Sequence, residues 1–456
     1  MASTTMAQAP AVAFVTLGCA KNEVDTAHMR ARLAQAGFAL EDDPARADAV
    51  VVNTCSFIQS ATEESLEAIF DVAGLPNVAA GAALVVAGCM PARYGDDLAG
   101  ELTEARAFVP CGREDDIASV VAEALGVDLA AAGSQVILNA GGAAAEVEGS
   151  RAATAHAPAA ALPGAVSAYV KISDGCDRFC SYCTIPIIRG RYRSFPFEEV
   201  HAEVAAHVGR GVREIVLIAQ DTGRWGSDFA EPSSLAELVS ALAERFPDTW
   251  FRLMYIQPEG VTDELLDAVA THRNVCNYFD VPLQHVDPSI LRAMNRRGSR
   301  SEHEALCERI LARVPGASLR TTLIAGFPGE TDEQFDELCS FVEEGPFDYV
   351  GVFPYSREEG TRAYDLPDQV DEDEKADRAQ RLRDVADAAC TPRIAARVGR
   401  EMDVLVEGAE EDGQLFGRAM CQAPEVDGVV YLAEGKIGDV RRVTITDALL
   451  YEMEGE

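Results

Sequence analysis

The chain has 456 residues, enough for two to four domains, and 48% of them are apolar, enough for real cores. It carries 75 acidic against 39 basic side chains, a formal net charge of −36, which opposes non-specific binding to a polyanion such as nucleic acid or an anionic membrane face. No run approaches the roughly 18 apolar residues of a membrane span, and Met1–Pro10 holds neither a basic start nor an apolar stretch, so no secretory signal is read. A cytoplasmic protein is expected. There, twelve cysteines suit metal ligation or burial as thiols better than disulfides.

In chain order, three apolar runs share one form. Ala11–Leu17 leads to Gly18-Cys19, Ala47–Val52 leads to Asn53-Thr54-Cys55, and Ala82–Ala87 leads to Gly88-Cys89. Each is β-branched and non-alternating, the pattern of a strand buried on both faces of a parallel sheet. Helices are expected between them, over Glu23–Ala36 and over Ala61–Ala73 with Thr62 as its cap. Such alternation predicts an α/β sheet over 11–126, with ligands beyond the carboxyl ends of its strands, where all three cysteines fall. Residues 127–165 form an Ala/Gly-rich linker with one expected strand at Gln135–Leu138.

From 166 to 396 the alternation resumes. Strands are expected at Ala168–Ile172, Glu214–Ile218, Trp250–Tyr255, Tyr278–Pro282, Ser318–Leu323 and Tyr349–Phe353. Helices fall between them, among them Ser233–Arg245, Thr262–Ala270, Ser289–Met294, Glu302–Val314 and Thr331–Glu343. About six β/α units predict a full or partial barrel with its site at the strand C-termini. Gly326-Phe-Pro-Gly329-Glu330 lacks the Lys-Ser/Thr of a phosphate loop and reads as a tight rim turn. Residues 397–456 change character: short runs broken by glycine predict a small all-β, OB-like barrel.

Cys176, Cys180 and Cys183 form C-x3-C-x2-C just after the first barrel strand. Three thiolates hold three irons of a [4Fe–4S] cluster and leave the fourth open to a small chelating ligand. Zinc usually wants a second Cys or His pair at matching spacing, and none is close. Cys19, Cys55 and Cys89 taken singly read as buried thiols. Together at one sheet edge they point to a shared metal site, again with one position open. Cys111, Cys276, Cys307, Cys339, Cys390 and Cys421 show no common spacing and read as structural thiols.

The triad, with Tyr182 at the aromatic position before its last cysteine, resembles the radical S-adenosylmethionine (SAM) signature. With a three-cysteine α/β domain before it and a small barrel after it, the chain resembles the radical SAM methylthiotransferases: methylthiotransferase domain, radical SAM barrel and TRAM domain. Leu17-Gly-Cys-Ala-Lys-Asn22, Arg189-Gly-Arg-Tyr-Arg-Ser194, Gln220-Asp-Thr222, Val281-Pro-Leu-Gln-His285 and Ala423-Pro-Glu-Val-Asp-Gly428 are similar to the branch that modifies an aspartate of small-subunit ribosomal protein S-twelve, rather than the branch that modifies a tRNA adenosine. Ala20, Phe195 and Gly223-Arg224-Trp225 depart from that branch's pattern, and none is a candidate ligand.

The resemblance implies two [4Fe–4S] clusters. One is held by Cys176, Cys180 and Cys183 and binds SAM; the other, on Cys19, Cys55 and Cys89, holds the sulfur. It also implies SAM as both radical source and methyl donor, hydrogen abstraction from the aspartate β-carbon, and a low-potential electron donor such as flavodoxin or ferredoxin. By the same resemblance Glu214 stands where the superfamily bonds the SAM amino group, and Tyr182 near the adenine. Lys171, Gln220, Asp221 and Gln284 fall at strand ends facing that mouth, where ordinary packing or an ion pair is an equally good reading. From Glu401 onward the chain has 14 acidic and four basic residues. This suits docking on a very basic ribosomal protein and makes direct nucleic-acid binding unexpected. A tRNA methylthiotransferase and a non-catalytic iron–sulfur or zinc protein are the alternatives.

Overall fold

The computed structural model describes residues 9–128 and 164–456; the strand expected at Gln135–Leu138 lies outside them. By its contacts the chain divides into two compact units, one built from the N-terminal residues with Ile187–Arg189, the other from Ala161–Pro186 and Gly190–Glu456.

The first unit is a parallel sheet of β1 (Ala11–Thr16), β2 (Ala39–Leu40), β3 (Ala49–Thr54), β4 (Ala83–Gly88) and β5 (Ala107–Pro110), in the order β2-β1-β3-β4-β5. Because alternate side chains leave a strand on opposite faces, Val12, Val51 and Val85 join one core with Met29 and Leu33 of the helix Ala20–Gln35 and with Ile117 and Val121 of the helix Ile117–Leu125. Ala13, Val50, Val52, Leu84 and Val86 join the other core, under Ile69 and Val72 of the helix Gln59–Ala73 and Met90 of the helix Cys89–Glu101. Burial on both faces is what the unbroken apolar runs demand. Thr62 is not a cap: the helix begins three residues earlier at Gln59, and the Thr62 hydroxyl meets Ser56 Oγ at 2.8 Å instead. The doubly wound order reverses between β1 and β3, which places a ligand crevice beyond the ends carrying Cys19 and Cys55.

The second unit opens with β6 (Ser167–Lys171) and a short antiparallel pair, β7 (Ser173–Asp174) with β8 (Arg193–Ser194). Then come β9 (Glu214–Ile218), β10 (Trp250–Leu253), β11 (Tyr278–Asp280), β12 (Ser318–Ala325) and β13 (Tyr349–Pro354). β6, β9 and β10 pair in parallel, as do β11, β12 and β13. Cys276 N to Phe251 O (2.8 Å) and Ile256 N to Asp280 O (3.0 Å) bridge β10 to β11. The result is a six-stranded partial barrel. Helix starts follow the caps: Thr331 and Gln334 form a capping box on Asp332–Glu344, and Ser234 and Glu237 form one on Leu235–Arg245.

The helix Glu372–Ala395, with no counterpart among the expected elements, packs on β12 and β13 through a stripe of Lys375, Ala379, Leu382, Ala386, Cys390 and Ile394. Charged residues and alanines dominate this segment, so its apolar stripe is thin. After it, β14 (Glu401–Ala409), β15 (Leu415–Ala419), β16 (Val430–Leu432), β17 (Val440–Leu449) and β18 (Glu452–Gly455) close a small barrel in the order β14-β15-β16-β18-β17.

Buried ion pairs and hydrogen bonds join this barrel to the floor of the larger one. Arg397 bonds Asp348 (2.9 Å), and Tyr278 Oη donates to Asp427 (2.7 Å). Arg252 Nε donates to Glu214 Oε1 (2.8 Å), and Arg418 reaches both Glu214 and Glu407.

Candidate functional site

In the second unit the loop from β6 carries Cys176, Cys180 and Cys183, and backbone bonds hold it. Cys176 N donates to Gly190 O (3.2 Å), Cys183 N to Cys180 O (3.1 Å) and Ser181 N to Met294 O (3.0 Å). Asn295 Nδ2 donates to the Arg178 and Phe179 carbonyls, each at 3.0 Å. Gly175 sits at φ +73°, and a Cβ there would stand 2.2 Å from Arg191 O, so no other residue fits before Cys176.

Burial pushes the Cys183 thiol up, with Cys180 and Cys176 adding to it. Burial likewise raises Cys176. Cys176 and Cys183, desolvated in this way, are poor thiolates on their own and good ligands for a cation that takes their charge. Arg296 approaches Cys180 Sγ with Nη1 at 3.9 Å while its Nη2 is fixed on Pro282 O at 2.9 Å. No sequence spacing signals this arginine.

Around the loop, Lys171 Nζ and Gln220 Nε2 both donate to Asp174, each at 3.0 Å, and Gly175 N donates to the same carboxylate. Lys171 and Gln220 thereby hold the three-cysteine loop. Gln220 keeps a free end: its Oε1, Gln257 Oε1 and Tyr355 Oη are buried without a hydrogen-bond partner among the described residues. They follow β9, β10 and β13 at the carboxyl ends, and orphaned polar atoms at a barrel mouth fit a polar ligand. Asp221 is taken by Arg178 (2.6 Å). Gln284, at φ +72°, bridges to Leu323 of β12. Tyr182 packs against Ile290, Leu291, Met294, Phe327 and Tyr355.

Glu214 requires a correction. It is the first residue of β9, level with Ser167 and Trp250, whereas the three-cysteine loop leaves the opposite end of the same strands. Both its oxygens are occupied, by Arg252, Arg418 and Ser167. Burial pushes its carboxyl up, but the two arginines outweigh this and hold it down to about 2. It braces the floor and does not meet SAM.

In the first unit, Cys19, Cys55 and Cys89 follow β1, β3 and β4 at one edge. Cys19 stands at the N-cap of the helix Ala20–Gln35 and Cys89 opens the helix Cys89–Glu101; hydrogen bonds from Cys111 and Cys55 hold the Cys89 thiol well below its ordinary value. Cys55 and Cys89 share a hydrogen bond that, with burial, raises Cys55. A Cβ on Gly18 would stand 3.1 Å from Cys55 Sγ, so the Cys19 backbone runs directly beside Cys55.

A polar lattice sets this geometry. Asn22, fully buried, donates to Leu17 O (2.8 Å) and Thr54 O (2.9 Å), and its Oδ1 accepts from Cys89 Sγ (3.7 Å) and Arg189 (2.9 Å). Arg189 also pairs with Asp25 at 2.9 Å. Ser65 Oγ bonds both Cys55 N (3.0 Å) and Cys55 O (2.7 Å). A fourth thiol is present as well: Cys111 Sγ lies 3.9 Å from Cys89 Sγ, a neighbour that its sequence position does not announce. It was missed because β5, a four-residue half-buried strand, leaves no periodic signal.

Gly88 makes the Cys89 geometry testable. Its φ is +93°, and an added Cβ would meet Asn53 Oδ1 at 2.3 Å and Thr54 O at 2.6 Å. Gly88→Ala should cost about 1–3 kcal/mol and lower iron uptake. Gly100→Ala, with nothing within 4 Å of its Cβ, should be neutral or slightly stabilising. Thermal melts and iron content of both variants check this; equal behaviour would mean that the turn at Gly88 tolerates a side chain.

Family models match three stretches: uncharacterized protein family UPF0004 over residues 11–110, the radical SAM superfamily over 170–342 and the TRAM domain over 398–456. A Trichlorobacter lovleyi protein named ribosomal protein uS12 methylthiotransferase RimO is 41% identical over 98% of this chain and 97% of its own. Proteins of that name from Geobacter sulfurreducens (40% identity, 98% of both chains) and Synechococcus sp. RCC307 (41% identity, all of this chain and 91% of that one) are similar. Among solved structures, the radical SAM methyltransferase TsrM of Kitasatospora setae, with cobalamin and a [4Fe–4S] cluster bound, covers 78% of this chain and 74% of its own. Its TM-score is 0.56 at 15% identity, a likeness of fold alone. With such identity over nearly the full length of its relatives, the chain belongs to the ribosomal protein uS12 methylthiotransferase RimO family.

Proposed function

We propose that the chain is a radical SAM methylthiotransferase that adds a methylthio group to the β-carbon of an aspartate in ribosomal protein uS12. The observation that carries this reading is the pair of thiol sets, each at the carboxyl ends of parallel strands in its own unit. Cys176, Cys180 and Cys183 would hold a [4Fe–4S] cluster that binds SAM. Cys19, Cys55 and Cys89 would hold a second cluster. When bound, these groups supply what no side chain has: a carbon radical able to take hydrogen from an unactivated C–H, a store of sulfur and a methyl donor.

The chain's own residues bind and orient. Asp174, gripped by Lys171 and Gln220, fixes the loop carrying the first triad. The orphaned oxygens of Gln220, Gln257 and Tyr355 offer polar partners at the mouth. Asn22 and Arg189 hold the floor of the second thiol set. The acidic C-terminal barrel suits a basic protein substrate, and a phosphate-rich tRNA would meet repulsion there. A low-potential donor such as flavodoxin or ferredoxin, in the cytoplasm, completes the reading; no described helix is long and apolar enough to cross a membrane.

Mass spectrometry on uS12 and on tRNA from a strain lacking the gene tests the assignment. The expected loss is the methylthio mass on the uS12 aspartate with tRNA unchanged. Loss confined to a tRNA adenosine would overturn it.

A further inference from the structure

Three cysteines were expected at the N-terminal edge, and the sheet presents four. Backbone pairing fixes the fourth: β5 runs beside β4 with Gly88 opposite Pro110, and Cys111 N donates to Gly88 O at 3.2 Å. Cys111 is thereby held next to Cys89, with 3.9 Å between the two sulfurs. Its sulfur stands among other donor atoms: carboxylate oxygens of Asp25 and Glu114 lie within 4.8 Å of it, besides the Cys89 sulfur.

Building on the proposed second cluster, we infer that Cys111 is a fourth thiolate of this site, ligating the iron that Cys19, Cys55 and Cys89 leave open. Incoming sulfur must then displace it. The step is a ligand exchange without change of oxidation state: Cys111 gives up its thiol proton on binding and regains one when a sulfur ligand replaces it. The open position is thus capped in the resting protein and shielded from adventitious ligands until sulfur arrives.

The test uses the full chain with Cys176, Cys180 and Cys183 replaced by Ala, reconstituted anaerobically, so that only the N-terminal cluster remains. Sodium methanethiolate is titrated in while the electron paramagnetic resonance spectrum of the reduced protein is followed. A tethered ligand competes at an effective concentration of about millimolar. The parent should therefore resist the probe into that range, and the additional change Cys111→Ala should respond at about tenfold lower concentration or less. Superimposable spectra and titrations would overturn the inference and leave the cluster itself standing. A protein that takes up no iron would take down both the inference and the second cluster.

A measurement without the Cys111 substitution guards against misfolding of that variant. Iodoacetamide should label Cys111 in the iron-free protein and spare it in the loaded one, and equal labelling in both states would equally overturn the assignment.

Discussion

Cys176→Ala should bring 5′-deoxyadenosine formation to background, whereas Cys55→Ala should leave it intact and stop methylthio transfer to uS12. The contrast rests on where each thiol sits. Cys176 is placed by its backbone, through Cys176 N to Gly190 O and the turn at Gly175, and neither contact involves the sulfur. Alanine therefore preserves the loop and deletes only a ligand. Outer-shell partners of metal sites are worth about 10–100-fold, so a lost ligand should cost more than about a hundredfold. Cys55 is likewise held by Ser65 through its main chain. Its loss empties one position in the first unit, which has its own cores, and leaves the second unit untouched. Anaerobic product analysis with dithionite as reductant, paired with the mass of a uS12 peptide, reads both halves. Full product from Cys55→Ala would remove Cys55 from the sulfur chemistry, and SAM cleavage by Cys176→Ala would remove Cys176 from the radical chemistry.

How much of this was legible in the sequence depended on whether the signal was local. C-x3-C-x2-C lies within eight residues, and Cys19, Cys55 and Cys89 each end a run of β-branched residues, so periodicity alone brought them to one edge. Glu214 illustrates the opposite case. A charged residue opening a buried strand invites a ligand role, yet its partners Arg252 and Arg418 stand 38 and 204 residues away, beyond any motif. The neighbourhood of Cys111 was hidden for a third reason: Ala107–Pro110 is a half-buried strand of four residues, too short to announce itself, so the cysteine after it had no visible neighbours. The fifth strand of the small barrel, Glu452–Gly455, hides in an acidic tail where only Met453 and Gly455 turn inward. The helix Glu372–Ala395 escaped because alanine and the stems of Lys375 and Arg378 do the packing that large apolar residues usually do.

The floor of the second unit makes the reassignment of Glu214 measurable. Glu214 and Arg252 are fully buried, Arg418 nearly so, and Glu407 completes the charge balance from a more exposed position. Glu214→Ala leaves two buried guanidinium groups, of which only Arg418 keeps a carboxylate, Glu407, while Arg252 is left with the Met420 and Ala419 carbonyls. Breaking a buried pair in this way costs about 3–5 kcal/mol, while Arg418→Met should cost less, because Glu214 keeps Arg252 and Glu407 can turn to solvent. Acid titration sharpens the test. Glu214 is held at about 2 in the folded chain, against about 4.3 when unfolded. Its stabilisation is therefore complete above pH of about 4.3 and is lost as the pH falls from there through about 2. The gap between parent and Glu214→Ala in denaturant midpoint should be widest near neutral pH and close over that acid range. SAM affinity of the folded fraction, measured on the reconstituted protein, should be the same for both. A selective loss of SAM binding with unchanged stability would return Glu214 to the cofactor site and displace the floor network from the account.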